Sequence, residues 1–146
     1  MVGYISESAI ERSVDMALFP ANKSGIPEGD ILWTNSAPTS SIGAGYVTLS
    51  QSISNYDYLK ITARLNTSNT KNISILISVD DFKNKSGFTA NSLNPAIFCY
   101  YASSGTRGRQ FAYGSDTSFG MGQAINMGDG IADNTWLIPI EIRGIK

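Results

Sequence analysis

The residues that could carry chemistry are few in this chain, and the first of them is its single cysteine. Cys99 lies in a strand-like run at residues 96–101, and the chain contains no histidine. A nucleophilic cysteine needs a base partner, so we expect Cys99 to be a buried, inert thiol. The lack of histidine also excludes a Ser-His-Asp triad and removes the commonest zinc ligand.

Carboxylates form two close groups, but neither has the spacing of a catalytic or metal-binding site. Asp80 and Asp81 are adjacent, and neighbouring side chains of a strand face opposite sides of the sheet. Asp129 and Asp133 stand in a Gly-rich segment that lacks the glutamate and the regular ligand spacing of an EF-hand loop. We interpret the first pair as strand-end charges and the second as turn residues. The sequence therefore predicts no catalytic residue, metal site or cofactor, and no enzymatic activity.

Residues 100–116 hold the strongest candidates for ligand binding. This stretch has the pattern of a hairpin, with tyrosines and arginines around a Gly-rich turn. Flat rings suit sugar stacking, and guanidinium forks suit phosphate groups. The same pattern also fits solvated arginines with tyrosines packed partly in the core. The first interpretation predicts one exposed face that carries the candidate ligand-binding residues Tyr101, Arg107, Arg109 and Tyr113.

The composition limits the kinds of partner this chain can bind. Only 16% of its residues are charged, against about 25% in an average globular protein. The formal net charge is -1 and no basic cluster is present, so we expect no nucleic-acid binding. No apolar run is long enough for a transmembrane helix, and the first residues lack the pattern of a secretory signal. These features predict neither membrane insertion nor a signal peptide.

The elements that would position such residues are mostly strands. Residues 58–65 and 72–80 alternate in polarity with a period of two, which is typical of strands with one buried face. Many short strands with Gly-rich turns predict an all-β fold, with an antiparallel β-sandwich, a jelly roll or a barrel as the alternatives. The eight predicted strands are Ile31–Thr34, Tyr46–Ser50, Tyr58–Leu65, Asn72–Asp80, Ala96–Ala102, Arg109–Tyr113, Phe119–Asn126 and Trp136–Arg143.

An N-terminal arm of residues 1–30 precedes the predicted β-rich head of residues 31–146. Its helix candidate is Ser6–Leu18, where Ser8 and Glu11 resemble a capping box. Residues 19–30 are rich in proline and glycine and predict a linker. A helix of about three turns is unstable alone. We therefore expect the arm to pack on its own head, on sister chains or on another protein.

Three stretches of the chain, read together, resemble a known class of viral protein. They are residues 33–41 (Trp-Thr-Asn-Ser-Ala-Pro-Thr-Ser-Ser), a short strand that ends Val-Thr-Leu at residues 47–49, and residues 55–61 (Asn-Tyr-Asp-Tyr-Leu-Lys-Ile). In order and spacing they resemble the C-terminal head domains of bacteriophage tail fibre and receptor-binding proteins. Residues 138–146 resemble the way those proteins end, so the resemblance covers about residues 31–146. Such heads carry no family-wide motif of binding residues, so the resemblance assigns none here.

The resemblance implies a trimeric β-head that binds a bacterial surface glycopolymer without chemistry. It further implies a homotrimer on the virion, made in the host cytoplasm, whose N-terminal arm contacts other virion proteins. An alternative is a capsid decoration or head-fibre protein that docks on the virion through this arm. A head preceded by only about 30 residues is short for a complete fibre, which favours that alternative or a fragment of a longer fibre. A small depolymerase is disfavoured because no catalytic set is present.

Overall fold

Strands form most of the protein in the computed structural model, which describes residues 28–85, the backbone of residues 96–102, and residues 105–146. The predicted arm helix and most of its linker lie outside these residues. Each of the eight predicted strands is present, with ends shifted by a few residues. The strands are β1 (Asp30–Thr34), β2 (Gly45–Thr48), β3 (Tyr58–Asn66), β4 (Asn72–Ser78), β5 (Ala96–Ala102), β6 (Gly105–Ser115), β7 (Ser118–Asn126) and β8 (Trp136–Ile145).

The strands form two antiparallel sheets that pack as a sandwich, so the all-β prediction is confirmed. Sheet A has the order β1-β8-β3-β4, and sheet B has the order β2-β7-β6-β5. A 3-10 helix, Ile53–Asn55, precedes β3. A short helix, α1 (Val79–Lys83), follows β4, where the sequence predicted that the strand would continue to Asp80. Ser78 caps this helix by accepting a hydrogen bond from the Asp81 backbone N–H.

The core fills the space between the two sheets, and the alternation along β3 shows how the sequence places it there. Leu59, Ile61 and Ala63 are at most 1% exposed, while the residues between them face outward. Sheet B contributes Phe119, whose ring stacks on Phe82 of α1 at a centroid distance of 5.0 Å. Burying a side chain of this size contributes about 1.5–3 kcal/mol, so Phe82, together with buried Val79, holds helix α1 on the core.

A glycine late in β8 makes room for an aromatic ring. A Cβ atom added at Gly144 would lie 2.5 Å from the ring of Tyr56, a distance that real side chains do not adopt. The Tyr56 hydroxyl donates to Asp30 at 2.8 Å. Burial is the main cause that raises the pKa of Tyr56, and the bond to Asp30 adds to it. Tyr56 thus contacts both β1, through Asp30, and β8, through Gly144.

The sandwich has two distinct ends. We define the proximal end as the one where the chain enters β1, because Asp30 pairs there with Gly144 near the end of β8. The β6–β7 turn lies at the same end, since the Ile53 N–H donates to the Asp116 carbonyl. The distal end, opposite to it, carries the β3–β4 turn and the long β7–β8 connection at residues 127–135, since Asn66 pairs with Trp136 at the start of β8.

Candidate functional site

Residues 107, 109, 111 and 113 of β6 share one face of the strand, and that face points into the sandwich. Phe111 pairs with Met121 and is fully buried, and Tyr113 pairs with buried Phe119. Arg109 is fully buried and Arg107 is 8% exposed. The expected exposed face is therefore wrong for both arginines. The alternation along β6 forces them inward together with Phe111.

The Arg109 side chain links the two sheets through hydrogen bonds. Its Nη1 donates to the Gly122 carbonyl of β7 at 2.6 Å, and its Nη2 donates to the Trp136 carbonyl of β8 at 3.1 Å. Burial lowers the pKa of Arg109 to about 10, so the side chain stays protonated at neutral pH. Both carbonyls belong to irregular backbone. The register of β6 on β7 shifts between Arg109 and Phe111, and Leu137 has a positive φ of 49°.

The other predicted ligand-binding residues lie in separate places. The Arg107 guanidinium lies 5.0 Å from the centre of the Trp136 ring at the distal end. The Tyr113 hydroxyl donates to Asp116 at 2.8 Å near the proximal end. In the backbone register Tyr101 pairs with Thr106, and its side chain is outside the described residues. The described members of the predicted set therefore do not form one binding surface.

Asp116 is the centre of a polar network at the proximal end. Ser54 and Tyr113 donate to its carboxylate, and Lys83 lies 3.2 Å from it. These donors, Ser54 first, lower the pKa of Asp116 to about 2. The same contact raises the pKa of Tyr113 and keeps its phenol a donor. The network ties the β6–β7 turn to the 3-10 helix and to α1.

A shallow groove of about 290 Å³ lies beside β2, and it is the candidate functional site. Its wall comes from the irregular crossing between β1 and β2 and from β2 itself. Among the described strands β2 pairs only with β7, so its other edge exposes backbone donors and acceptors. The Ile42 N–H donates to the Asn134 carbonyl, which fixes the start of the groove wall against the β7–β8 connection. The lining residues are Ile42, Gly43, Ala44, Gly45, Tyr46, Val47 and Met121.

Tyr46 is one of the residues that line the groove, and it carries an exposed aromatic side chain. Its side chain is 54% exposed. The ring lies across β6, where a Cβ atom added at Gly114 would be only 2.9 Å from two ring carbons. Gly114 therefore leaves space for the ring on the outer face of sheet B. The alternation of Tyr46 and Thr48 with Val47 and Leu49 predicts this outward position from the sequence alone. The groove itself depends on the irregular crossing segment, which has no periodic signal.

The acidic pairs have structural roles, as predicted for Asp129 and Asp133. Asp129 accepts hydrogen bonds from the Ile131 N–H and from Asn126, and Asp133 accepts two from Thr135. Asp80 and Asp81 lie in the first turn of α1, where carboxylates are favourable next to the helix N-terminus. Within residues 28–85 and 105–146, no three potential metal-ligating side chains come together.

Comparison with known proteins does not identify a family for this chain. No family model, no curated protein and no solved structure matches the chain. In the part of the chain that the structure describes, no helix is long and apolar enough to span a membrane.

Proposed function

We propose that this chain is a bacteriophage virion protein, a tail fibre or receptor-binding head that binds a saccharide of the bacterial envelope without chemistry. The observation that carries the proposal is the groove beside exposed Tyr46. The sequence resemblance to phage head domains and the antiparallel sandwich support it. The proposed assembly is a homotrimer that contacts other virion proteins through its N-terminal arm.

The groove has the physical properties of a site for a sugar ring. An exposed tyrosine ring offers an apolar face with a polar hydroxyl at its edge. Gly43 and Gly45 bring the backbone close to the surface, because they carry no Cβ atom. Backbone groups on the edge of β2 that faces away from β7 can then bond to sugar hydroxyls. A volume of about 290 Å³ is at the lower end of the usual range for small-molecule sites, so the groove fits one small ring.

Such a site binds weakly on its own. It has one exposed aromatic ring and no charged side chain in its lining, so stacking and a few hydrogen bonds must provide the affinity. Three linked copies raise the effective affinity for a repeating polymer without any new contact. The proposed trimer would therefore bind a polymer much more tightly than its isolated repeat unit.

The test is binding of the full chain to an array of purified bacterial envelope polysaccharides. We expect binding to at least one of them, strong loss in Tyr46→Ala, and partial retention in Tyr46→Phe because the ring remains. Met127→Ala is the matched control, since Met127 is also exposed but lies in the β7–β8 connection and does not line the groove. The proposal is wrong if Tyr46→Ala binds as the parent does, or if the parent binds no envelope polysaccharide.

The position of the chain on the particle separates this function from its alternative. Electron microscopy of virions with a labelled antibody against the chain should show the label at the tail tip. Label over the capsid surface would contradict the adsorption head. It would favour the alternative, a capsid decoration or head-fibre protein that docks through its arm.

A further inference from the structure

The outer face of sheet A combines exposed apolar side chains with an excess of positive charge. Leu76 of β4 is 50% exposed and Ile31 of β1 is 49% exposed. Directly opposite residues of adjacent strands lie on the same face of a sheet. Lys60 is opposite both Leu76 and Arg143, and Arg143 is opposite Ile31. One row across the four strands therefore has an apolar side chain at each end and two cations between them.

Two cations of this face have no acidic partner on it. Glu141 is already paired with Arg143 at 2.6 Å, and the other ion pair of the described residues lies at the proximal end, away from this face. Lys60 and Arg64 alternate with the buried residues of β3 and therefore point outward. They are four residues apart, which is about 13 Å along a strand. The face thus keeps two positive charges in one line along β3.

The chain enters the sandwich beside this face. Arg143 Nη1 donates to the Gly29 carbonyl at 3.1 Å. Glu141 is the main cause that raises the pKa of Arg143, and the nearby charge of Glu28 adds to it. Residues 28 and 29 therefore lie next to an outward-facing side chain of β8. The segment that precedes them starts within reach of the outer face.

That segment has the complementary chemistry. Residues 6–18 are the predicted helix, and its apolar side consists of Ile10, Val14, Ala17 and Leu18. The adjoining side carries a carboxylate every four residues, at Glu7, Glu11 and Asp15. Arg12, on the opposite side, is the one cation in these residues. The predicted helix is therefore apolar and acidic on one half of its surface, as the outer face of sheet A is apolar and basic.

We propose that residues 6–18 form a helix that docks on the outer face of sheet A of the same chain, with its carboxylates towards Lys60 and Arg64. Such a helix is about 20 Å long and about 10 Å wide, and four strands about 4.8 Å apart give a face wide enough to hold it. Its carboxylates span about 12 Å, close to the separation of the two cations. Residues 19–27 reach about 30 Å when extended, so the linker allows the helix to lie along the strands.

The segment is a better occupant of this face than a second copy of the head. A second head would present the same excess of positive charge and repel the first. The linker keeps the segment close to the face, so that docking is intramolecular and occurs at a high effective concentration. The outward side of the docked helix, with Arg12, stays available for the virion contacts of the proposed function. The inference goes beyond that function and does not rest on it.

Hydrogen exchange of the full chain tests the docking. A helix this short is marginal alone, so the amides of residues 6–18 should exchange at least tenfold more slowly than in an isolated peptide of the same sequence. The face-reversed variant, Lys60→Glu/Arg64→Glu, and the variant Leu76→Glu should each remove most of this protection. Lys71→Glu is the matched control, since Lys71 is exposed in the β3–β4 turn, outside the face. Protection of the β3 amides in each variant confirms that the sandwich is folded.

A charge exchange tests the pairing directly. The acid-reversed variant, Glu7→Lys/Glu11→Lys/Asp15→Lys, should lose the protection, and its combination with the face-reversed variant should regain most of it. Arg12→Glu changes the opposite side of the helix and should keep the protection of the parent.

Four results would overturn the inference. The first is a parent whose residues 6–18 exchange as fast as the isolated peptide. The second is a face-reversed or Leu76→Glu variant that is protected as the parent is. The third is a combined variant no better than the acid-reversed one. The fourth is protection that rises with protein concentration, because a sister chain would then supply the helix.

Discussion

Arg109 places a full positive charge in the interior of the sandwich, and its contacts explain why the structure accepts it. Each of its two Nη atoms donates to a carbonyl at an irregular point of the backbone. Buried carbonyls that lose a donor cost free energy, and positive φ at Leu137 adds strain that contacts nearby must offset. At the scale of single residues, Arg109 is a structural part of the core and not a ligand-binding group.

The first prediction follows from these contacts. Arg109→Ala should lower the free energy of unfolding by about 2–4 kcal/mol, because it removes two donors and leaves a cavity. Arg109→Met should cost less, since its chain fills part of the space. The measurement is urea unfolding at neutral pH, with half-exposed Arg64→Ala as the control. An Arg109→Ala protein within about 0.5 kcal/mol of the parent, as expected for an exposed residue, would contradict the burial.

The second prediction concerns Asp116 and pH. Its pKa is about 2 in the folded protein, below the ordinary value of about 3.9 for an unfolded chain. The lower folded pKa means that the carboxylate stabilises the fold fully above about pH 4, and that this contribution is lost as the pH falls through about 2. Asp116→Asn should therefore be less stable than the parent at pH 7, with a smaller difference near pH 2.

Unfolding of both proteins across this pH range gives the comparison. An NMR titration of the Asp116 carboxyl group gives its pKa directly. A difference in stability that stays constant from pH 7 to pH 2 would show that the network does not depend on the charge of Asp116.

At the scale of elements, the strands could be predicted because a period of two leaves a strong signal. The alternation in β3 and β4 predicted their buried faces and the extent of β3 to within one residue, but β4 ends at Ser78 and not at Asp80. The face of β6 was harder to predict, since it carries two arginines and a phenylalanine at alternate positions. The apolar Phe111 two residues after Arg109 was the signal that this face points inward. The groove at β2 left no such signal, because it depends on where an irregular crossing segment packs.

The third prediction concerns the close approach of β8 to the Tyr56 ring. Gly144→Ala should destabilise the protein by about 1–3 kcal/mol, because overpacking forces a displacement and the added Cβ would lie 2.5 Å from the Tyr56 ring. Gly43→Ala is the matched control, since its added Cβ would approach nothing closer than 3.9 Å. The thermal unfolding midpoints of both variants give the result. Equal midpoints would mean that the Tyr56 ring does not pack on Gly144.

At the scale of the whole molecule, the features described above lie on separate surfaces of the sandwich. The chain enters at the proximal end, the Tyr46 groove opens at the edge of sheet B, and the exposed apolar side chains of sheet A lie on the other side of the sandwich. The charge-poor composition is compatible with the proposed saccharide binding, because that binding would use a ring and backbone groups rather than charges.

The most direct test of the account is a methyl NMR titration of the full chain with the polysaccharide fragment that binds best. Ile42 and Met121 line the groove, so their methyl signals should shift together as the ligand saturates. The methyl signals of Met127 and Ile131 report on the distal end and should stay unchanged. Shifts confined to those two residues or to the outer face of sheet A, with Ile42 and Met121 unaffected, would contradict saccharide binding in the groove.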